Sequence, residues 1–448
     1  MKILIYLEPW IDHARPQWRD SWIYGWLAPL HERFRHFKDH ECIFVHGDAQ
    51  TEIVQKMIFG YFTRTAVITQ PELRAVFPDY YAAALGWYND DAPPERSAQM
   101  QELMRAKLDG FTPDVIITLF TSVPFLKKMF PDALVLHGDC ACFSRAPFFY
   151  QWTFDPCGML RNGYLAKHGR EIAAAPLPEV GRKFLALFRK KYCDRLLKKQ
   201  NPFTRAELMG GKEFRHLVLL PLHVSGTFAF NGNSKFHTQW DMLCHVLDHT
   251  PHDIGVVVTE HLDFERTLTP EVLAYLRRTY PHFIHMRKFE DYGAVSQYLL
   301  QHVDAVAAVA TSLCLQALLW RKPVCALGDS HINAFADVVG IEGLEAFLAD
   351  GVYRNKDNLL YFLLSRYNIP VAEAYLWNPV WLEDQFTRWL EHYRSHGADV
   401  DFFPPIDDPF RLLKYHLRTA VVEIRARDPD KAPINQGGAS PPTSSAAA

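Results

Sequence analysis

The sequence predicts an α/β fold with two Rossmann-like domains that face a cleft, followed by C-terminal helices. Short apolar runs rich in Val, Ile and Leu recur along the chain, and segments with helical spacing separate them. This alternation is the pattern of a mostly parallel sheet with helices on both faces. It occurs once in each half of the chain, and the last part of the chain has helical spacing without strands.

The first half, residues 1–178, is predicted to be a Rossmann-like domain. Its buried strands are predicted at residues 2–7, 41–46, 115–120 and 133–137. Residues 22–37 have helical spacing, and residues 50–110 are predicted to be mostly helical between prolines. The polar and aromatic stretch 8–20 follows the first strand, at the edge of the sheet where ligands of parallel sheets bind.

Residues 179–199 are predicted to form an amphipathic helix, which belongs to the linker 179–212 between the domains. One side is apolar and the other is basic, with Arg182, Lys183, Arg189, Lys190, Lys191, Arg195, Lys198 and Lys199. A solvated surface helix packed on the first domain is the favoured interpretation. Contact of residues 182–199 with the anionic surface of the inner membrane is the alternative.

The second half, residues 213–345, is predicted to form another Rossmann-like domain. Its buried strands are predicted at residues 216–222, 254–259, 283–286, 305–309 and 324–327. Residues 235–249 and 270–280 are the clearest helices between them. Residues 346–427 are predicted to form C-terminal helices, and residues 428–448 a disordered tail because they contain few large apolar side chains.

Within the second half, residues 303–330 are predicted to form a strand-helix-strand unit. Thr311 and Ser312 directly follow the strand, and both residue types are favoured where a helix begins. Free N–H groups and the helix dipole attract anions at such a place, which favours a phosphate site. Every parallel sheet contains units of this kind, however, so the stretch alone predicts only an α/β domain.

Composition narrows the class of protein. The 448 residues carry a formal net charge of −3, which argues against general binding to nucleic acid. Eight cysteines are scattered without a framework of short spacings, which favours reduced thiols and a cytoplasmic location. A peripheral position on the cytoplasmic face of the membrane is the alternative. No apolar run is long enough to cross a bilayer, and no cleavable signal peptide is predicted.

Several motifs of known chemistry are missing from the sequence. Neither half has the dinucleotide-binding G-x-G-x-x-G after its first strand, and there is no P-loop, H-E-x-x-H or paired C-x-x-C motif. His137, Cys140, Cys142 and Cys157 have poor spacing for zinc ligands, so buried structural cysteines are the favoured interpretation. No metal and no cofactor is therefore predicted.

The most suggestive polar segment is residues 137–158, which follows a predicted strand. It carries Asp139, Arg145 and Asp155 among large aromatic side chains. Two carboxylates at one strand end suit sugar chemistry, where one acts as base or nucleophile and the other as acid. The alternative is that each aspartate simply caps a turn.

Polar side chains also follow two strands of the second half. His223 and Ser225 follow the strand 216–222, and His261 follows the strand 254–259. Ligands of open α/β sheets bind at the carboxyl ends of strands. A single histidine there is usually an ordinary loop residue, but together with Thr311 and Ser312 these positions favour a binding site.

Residues 289–330 resemble the C-terminal donor domain of bacterial capsular and surface-polysaccharide glycosyltransferases, a group that includes retaining β-Kdo transferases. The positions that carry the resemblance are Asp304, Thr311, Ser312, Gln316, Ala317, Leu318, Lys322, Pro323, Val324 and Gly328. Gln316 stands where the family usually has an acid, and Arg321 where it usually has Gly. His261 matches the histidine of a second family motif, and residues 139–145 and 155–158 resemble the family's pattern in the first domain.

The resemblance implies a GT-B fold and a metal-independent glycosyltransferase. It implies transfer of a sugar from a nucleotide-sugar donor, with CMP-Kdo as one candidate, to a cell-surface polysaccharide or glycolipid acceptor. By resemblance Asp155 is the catalytic carboxylate, Asp139 the acid or base, and Arg145 a clamp for phosphate or carboxylate. Donor contacts would come from His223, Ser225, His261, Thr311, Ser312 and Gln316. A UDP-sugar 2-epimerase of the same fold and a non-catalytic binding or scaffold protein are the alternatives.

Overall fold

The computed structural model describes residues 1–10, 23, 40–58, 64–119, 121–145, 147–148, 151–261, 266–369, 381–405 and 408–417. The predicted helix 22–37, except Ile23, and the predicted disordered tail 428–448 lie outside these residues.

The first sheet has six strands. They are β1 (Lys2–Leu7), β2 (Glu41–Gly47), β3 (Arg64–Ile68), β4 (Val115–Leu119), β5 (Leu134–Cys140) and β6 (Trp152–Asp155). Their order is β3-β2-β1-β4-β5-β6, and only the β5–β6 pair is antiparallel. This is the doubly wound order of a Rossmann-like sheet, in which β1 and β4 flank the point where the order reverses.

The second sheet repeats this topology. Its strands are β7 (His216–Pro221), β8 (Ile254–Thr259), β9 (Phe283–Ile284), β10 (Ala305–Ala308), β11 (Val324–Ala326) and β12 (Val338–Val339). All neighbouring strands are parallel, in the order β12-β11-β10-β7-β8-β9, so the first and fourth strands again flank the reversal. The predicted fold class, two Rossmann-like domains, is confirmed.

Three strands were not predicted from the sequence. Residues 50–110 were expected to be mostly helical, but β3 lies among the helices, with an alternating half-buried pattern in place of a continuous apolar run. The strands β6 and β12 are only four and two residues long. Both β3 and β12 are edge strands, so one side of each lacks the burial that makes a strand recognisable.

Helices of the first half cover both faces of the first sheet. They are α1 (Thr51–Ile58), α2 (Gln70–Val76), α3 (Tyr80–Asn89), α4 (Pro94–Leu108), α5 (Pro124–Met129) and α6 (Tyr164–Ala174). Local sequence fixes several of the starts. At α2, for example, the Thr69 hydroxyl accepts from the Glu72 N–H while the Glu72 carboxylate accepts from the Thr69 N–H, a capping box.

The linker helix runs without a break through α7 (Glu179–Arg189), the π-helical turns Lys190–Leu197 and α8 (Lys198–Gln200). Most of its apolar side is buried, although Leu187 is 47% exposed, and the helix does not pack on the first domain alone. Phe188 stacks on Phe148 of the first domain, while Arg189 donates to the Leu319 carbonyl of the second. The helix is therefore shared between the two domains.

Helices of the second half are α9 (Arg205–Met209), α10 (Phe228–Asn231), α11 (Gln239–Asp248), α12 (Pro270–Thr279), α13 (Val295–Leu299), α14 (Leu313–Ala317) and α15 (Leu344–Asp350). The helix predicted after Thr311 and Ser312 is short, because α14 continues only as the 3₁₀ turn Leu318–Trp320. No described helix is both long and apolar enough to span a membrane.

The C-terminal helices return to the first domain. They are α16 (Asp357–Phe362), followed by the π-helical turn Leu363–Tyr367, then α17 (Trp381–His396) and α18 (Pro409–His416). Arg394 of α17 binds Asp114 beside β4 at 2.7 Å, and Lys127 donates to the Tyr393 hydroxyl at 2.7 Å. Helices follow the second sheet, as the sequence predicts, and these contacts tie α17 to the first domain.

Candidate functional site

The candidate site lies where the two domains meet. The Tyr88 hydroxyl of the first domain donates to Asn233 Oδ1 of the second at 2.6 Å, and Gln316 Nε2 donates to the Cys142 carbonyl at 2.6 Å. Polar residues that follow β5, β7, β8 and β11 are brought towards each other here. These are carboxyl ends of strands, the edge at which open α/β sheets bind ligands.

Asp139 lies near the end of β5, opposite Thr153 of β6. Its Oδ1 accepts from the Cys140 N–H at 2.6 Å. Burial raises the pKa of Asp139 to about 7, although the Cys140 N–H and the positive charge of Arg145 both oppose this rise. Asp139 therefore exchanges a proton near neutral pH, which is what a general acid or base requires.

Arg145 lies in the loop between β5 and β6. Buried Phe143 and Phe148 hold this loop in the core, one on each side of the arginine, and their rings pack edge to face at 5.0 Å. The Arg145 side chain is exposed, and its positive charge is close enough to affect the protonation of Asp139 and of His223 in the other domain.

Three histidines from different strand ends of the second sheet lie near one another, and His223 among them lies near Arg145. Burial lowers the pKa of His223 to about 4, with contributions from nearby His261 and Arg145. Burial likewise lowers the pKa of His331 to about 4, with a contribution from His223. Neutral imidazoles beside a guanidinium form a site that donates hydrogen bonds and accepts negative charge, as a phosphate group would require.

His331 was not identified from the sequence. It follows β11 in the 3₁₀ turn His331–Ala334, is only 7% exposed, and its Nδ1 has no hydrogen-bond partner among the described residues. A buried polar atom without a partner requires an explanation, and a ligand in the cleft would supply one. The one sequence signal for His331 is that it follows a predicted strand, as His223 and His261 also do.

Asp155 has a different environment from Asp139. Its Oδ1 accepts from the N–H groups of Cys157 and Gly158 at 2.8 and 3.1 Å, and its Oδ2 accepts from the Tyr164 N–H and the Tyr367 hydroxyl at 2.7 Å each. It is 4% exposed. The predicted catalytic role stays a prediction, but these contacts are those of a carboxylate that organises a turn.

The two predicted carboxylates nevertheless share one face of the β5–β6 pair. Asp155 lies opposite His137, and Asp139 lies two residues further along β5. Diagonal neighbours of this kind in an antiparallel pair lie about 7–8 Å apart. The structure thus brings Asp139, Arg145, His223, His261 and His331 together, whereas both oxygens of Asp155 are engaged in hydrogen bonds outside this cluster.

Three of the other predicted donor residues, Ser225, Thr311 and Gln316, make hydrogen bonds within the protein. Ser225 Oγ accepts from the Gln239 N–H at 3.1 Å and so helps to begin α11. Thr311 Oγ1 accepts from the Leu313 N–H at 3.3 Å, whereas the Ser312 side chain makes no capping hydrogen bond. Gln316 is 5% exposed and bonds to the first domain. Donor contacts by these four residues stay predictions.

The first sheet has its own recess at the point where its strand order reverses. It is lined by Tyr6, Glu8, Trp10, Leu73, Val76, Phe77, Tyr80, Ala83, Ala84, Trp87, Met100, Thr121, Ser122 and Phe125. The cavity measures about 10 Å³, which is room for one water molecule. Glu8 in its wall accepts from the Trp10 N–H at 2.7 Å. A sugar ring does not fit unless these side chains move.

Comparison with known proteins gives distant likenesses. No family model matches the chain, and no curated protein matches it. Among solved structures it is similar to a β-Kdo 2,7 transferase (KpsC) of Thermosulfurimonas dismutans, at 13% identity and a TM-score of 0.42, over 72% of this chain and 91% of that one. It is also similar to the calicheamicin glycosyltransferase CalG4, at 13% identity and a TM-score of 0.37, over 89% and 99%. A putative UDP-N-acetylglucosamine 2-epimerase from Listeria monocytogenes matches at 11% identity and a TM-score of 0.35, over 89% and 97%.

Proposed function

We propose that the protein is a glycosyltransferase that moves a sugar from a nucleotide-sugar donor to a glycan or glycolipid acceptor of the cell surface. The observation that supports this most directly is the interdomain cluster. A carboxyl group that titrates near pH 7, Asp139, lies with Arg145 and neutral histidines at carboxyl strand ends of two Rossmann-like sheets. The resemblance of residues 289–330 to the donor domain of polysaccharide glycosyltransferases supports the same function.

In the proposed reaction the donor phosphate lies against the second domain. Arg145 supplies positive charge to the departing phosphate oxygen, and His223, His261 and His331 donate hydrogen bonds to it. The bond between the anomeric carbon and this oxygen breaks, and its electron pair leaves with the nucleotide. The acceptor hydroxyl oxygen forms the new bond to the sugar while its proton passes to the Asp139 carboxylate.

Asp139 has the proton-transfer role in this proposal whether the sugar passes directly to the acceptor or first to the protein. The second route needs a nucleophile, for which Asp155 is the predicted residue. All four hydrogen bonds of Asp155 would then have to rearrange to release one oxygen towards the sugar. The anomeric configuration of the product, determined by NMR, distinguishes the two routes.

The test is a panel of CMP-, UDP-, GDP- and dTDP-sugars, CMP-Kdo among them. Binding is measured as thermal stabilisation, and turnover as release of free nucleotide with a lipid-extract acceptor. We expect one nucleotide class to raise Tm and to be released only when acceptor is present. An epimerised sugar formed from donor alone would instead indicate a UDP-sugar 2-epimerase. If no nucleotide raises Tm or is released, the glycosyltransferase proposal is wrong and a non-catalytic scaffold is favoured.

We also propose that the linker helix brings this reaction to a membrane surface. Arg182 and Lys183 pair with Glu179, but Lys190, Arg195, Lys198 and Lys199 are exposed further along the same helix. Leu187 beside them is 47% exposed. Basic side chains next to an exposed apolar one suit anionic headgroups. Co-sedimentation with phosphatidylglycerol vesicles should be lost when the four residues become glutamine, and equal binding to neutral vesicles would contradict the proposal.

A further inference from the structure

A second cluster of ionisable side chains lies on the face of the second domain that is covered by α11 and α15. The helix α11 and the 3₁₀ turn Ile341–Gly343 after β12 pack on the same face of the second sheet, in one apolar cluster. His245 and His249 lie one helical turn apart at the end of α11, and Glu342 lies in the 3₁₀ turn. One ligand atom from each of the three lies within 4.8 Å of the other two.

The side chains of this cluster lie at distances that suit ligands of one metal ion. His245 Nε2 lies 3.2 Å from Glu342 Oε1, as close as two neighbouring ligand atoms of one ion. His249 Nδ1 lies 2.8 Å from the His245 carbonyl oxygen, to which it donates its hydrogen. The lone pair of this imidazole is then on Nε2. A carbonyl that fixes the ring and the tautomer of a histidine in this way is the usual outer partner of a metal ligand.

We propose that His245, His249 and Glu342 bind a divalent transition-metal ion of the zinc class, with water in the fourth position. Two imidazoles and one carboxylate are a common ligand set for zinc with an open position. A tetrahedral ion with bonds of about 2.1 Å holds its ligand atoms about 3.4 Å apart. The ligand atoms of the cluster lie within 4.8 Å of one another, so an ion draws them together through a small movement, chiefly of the exposed Glu342 side chain.

The competing interpretation is a surface ion pair between His245 and Glu342. Lys235 distinguishes the two, because its positive charge acts on both His245 and Glu342. A metal ion would be repelled by this charge. Removing the Lys235 charge should therefore tighten metal binding. If the cluster is only an ion pair, it binds no metal, and removing this charge has no effect on the metal titration.

A bound ion would cross-link two segments of the second domain. The proposed site shares no residue with the cleft. His249 and Glu342 are far apart in the chain, so a shared ion would link the first crossover helix of the domain to the segment after its edge strand. An ion that binds only the folded chain raises its stability by mass action.

The test uses the full-length protein after treatment with a chelator. Co²⁺ is titrated and followed by its visible absorption, and Zn²⁺ is measured by competition. We expect a 1:1 complex that His249→Gln and Glu342→Gln each weaken at least tenfold, and that Lys235→Gln tightens about threefold. His237→Gln, which removes an exposed histidine outside the cluster, should leave the affinity unchanged.

The proposal is overturned if His249→Gln and Glu342→Gln titrate like the unaltered protein, or if His237→Gln weakens binding as much as they do. Circular dichroism confirms that each variant is folded. Because the cluster and the cleft share no residue, loss of metal binding says nothing against the glycosyltransferase proposal, and a failed nucleotide panel says nothing against the metal site.

Discussion

Asp139 and Asp155 show how two carboxylates on one β-strand pair come to differ. Asp155 accepts four hydrogen bonds, which oppose the effect of its burial, although burial still raises its pKa. Asp139 accepts a hydrogen bond from the Cys140 N–H and depends on the more distant charge of Arg145. The first environment suits a structural carboxylate, and the second suits a group that takes up and releases a proton.

Replacing Asp139 by Asn should abolish most activity without harming stability. Loss of a general base typically costs 10²–10⁴ in rate, so we expect kcat to fall by about 10³. The pKa of Asp139 is higher in the folded chain than in the unfolded one, so its ionisation destabilises the fold as the pH rises from about 4 to about 7. Asp139→Asn should therefore raise Tm at pH 8 relative to the unaltered protein, but not at pH 3.5. A fall in Tm at pH 8 would contradict this account.

Asp155→Asn should instead lower the stability of the protein. An amide cannot accept four hydrogen bonds, and its NH₂ group would face the N–H of Tyr164 or those of Cys157 and Gly158. Leaving buried donors without partners should lower the free energy of unfolding by about 3 kcal/mol, measured with urea. An Asp155→Asn protein of full stability but without activity would show that Asp155 acts in catalysis and not in the turn.

At the scale of elements, the sequence predicts best what is buried on both sides. Continuous apolar runs identified β1, β4, β7 and β8, which lie inside the sheets. The edge strand β12 was not predicted because it is only two residues long and its Val339 is 68% exposed. His223 and His261 were predicted as site residues because they directly follow predicted strands. The cluster around them depends on how the two domains meet, which no local sequence pattern encodes.

A buried ion pair between Arg189 and Asp357 holds the linker helix in place. The sequence alone does not distinguish Arg189 from the exposed basic residues of the same helix. Arg189 donates to both oxygens of Asp357, at 2.6 and 3.0 Å, and the Asp357 side chain is 6% exposed. The neighbouring Lys190 is exposed. Adjacent basic residues of one helix thus have different roles.

Arg189→Gln should lower the free energy of unfolding by about 2 kcal/mol, because among the described residues the buried carboxylate then keeps the more exposed Arg321 as its one cationic partner. The matched variant Lys190→Gln should change it little. Both are measured by urea unfolding. Equal effects of the two substitutions would mean that the buried pair contributes no more than a surface charge.

At the scale of the molecule, the cleft depends on contacts that join the two domains. The Tyr88 hydroxyl bonds to Asn233 Oδ1, and the Asn233 amide donates to the Phe228 and Ala229 carbonyls. Gly328, after β11, lies so close that an added Cβ would be 2.2 Å from the Asn233 carbonyl oxygen. One helix of the first domain is thereby fixed to the strand ends that carry His223 and His331.

Tyr88→Phe should weaken this joint. Asn233 Oδ1 would be left buried without its donor, at a cost of about 2 kcal/mol in the free energy of unfolding. The matched variant Tyr81→Phe alters a partly exposed tyrosine of the same helix and should have little effect. If Tyr88→Phe unfolds at the same urea concentration as the unaltered protein, the hydroxyl does not hold the domains together.

The return of the C-terminal helices limits how the cleft can open. The chain crosses between the sheets once through the linker helix and again before α16, and Ile369 then exchanges backbone hydrogen bonds with Trp152 of the first sheet. Two bodies joined at one point can tilt and twist in any direction. Joined at two points, they keep one easy rotation, about the line through both crossings. If the cleft opens, the two crossings restrict that movement to a rotation about the line through them, and closing it returns Arg145 to the same place beside His223.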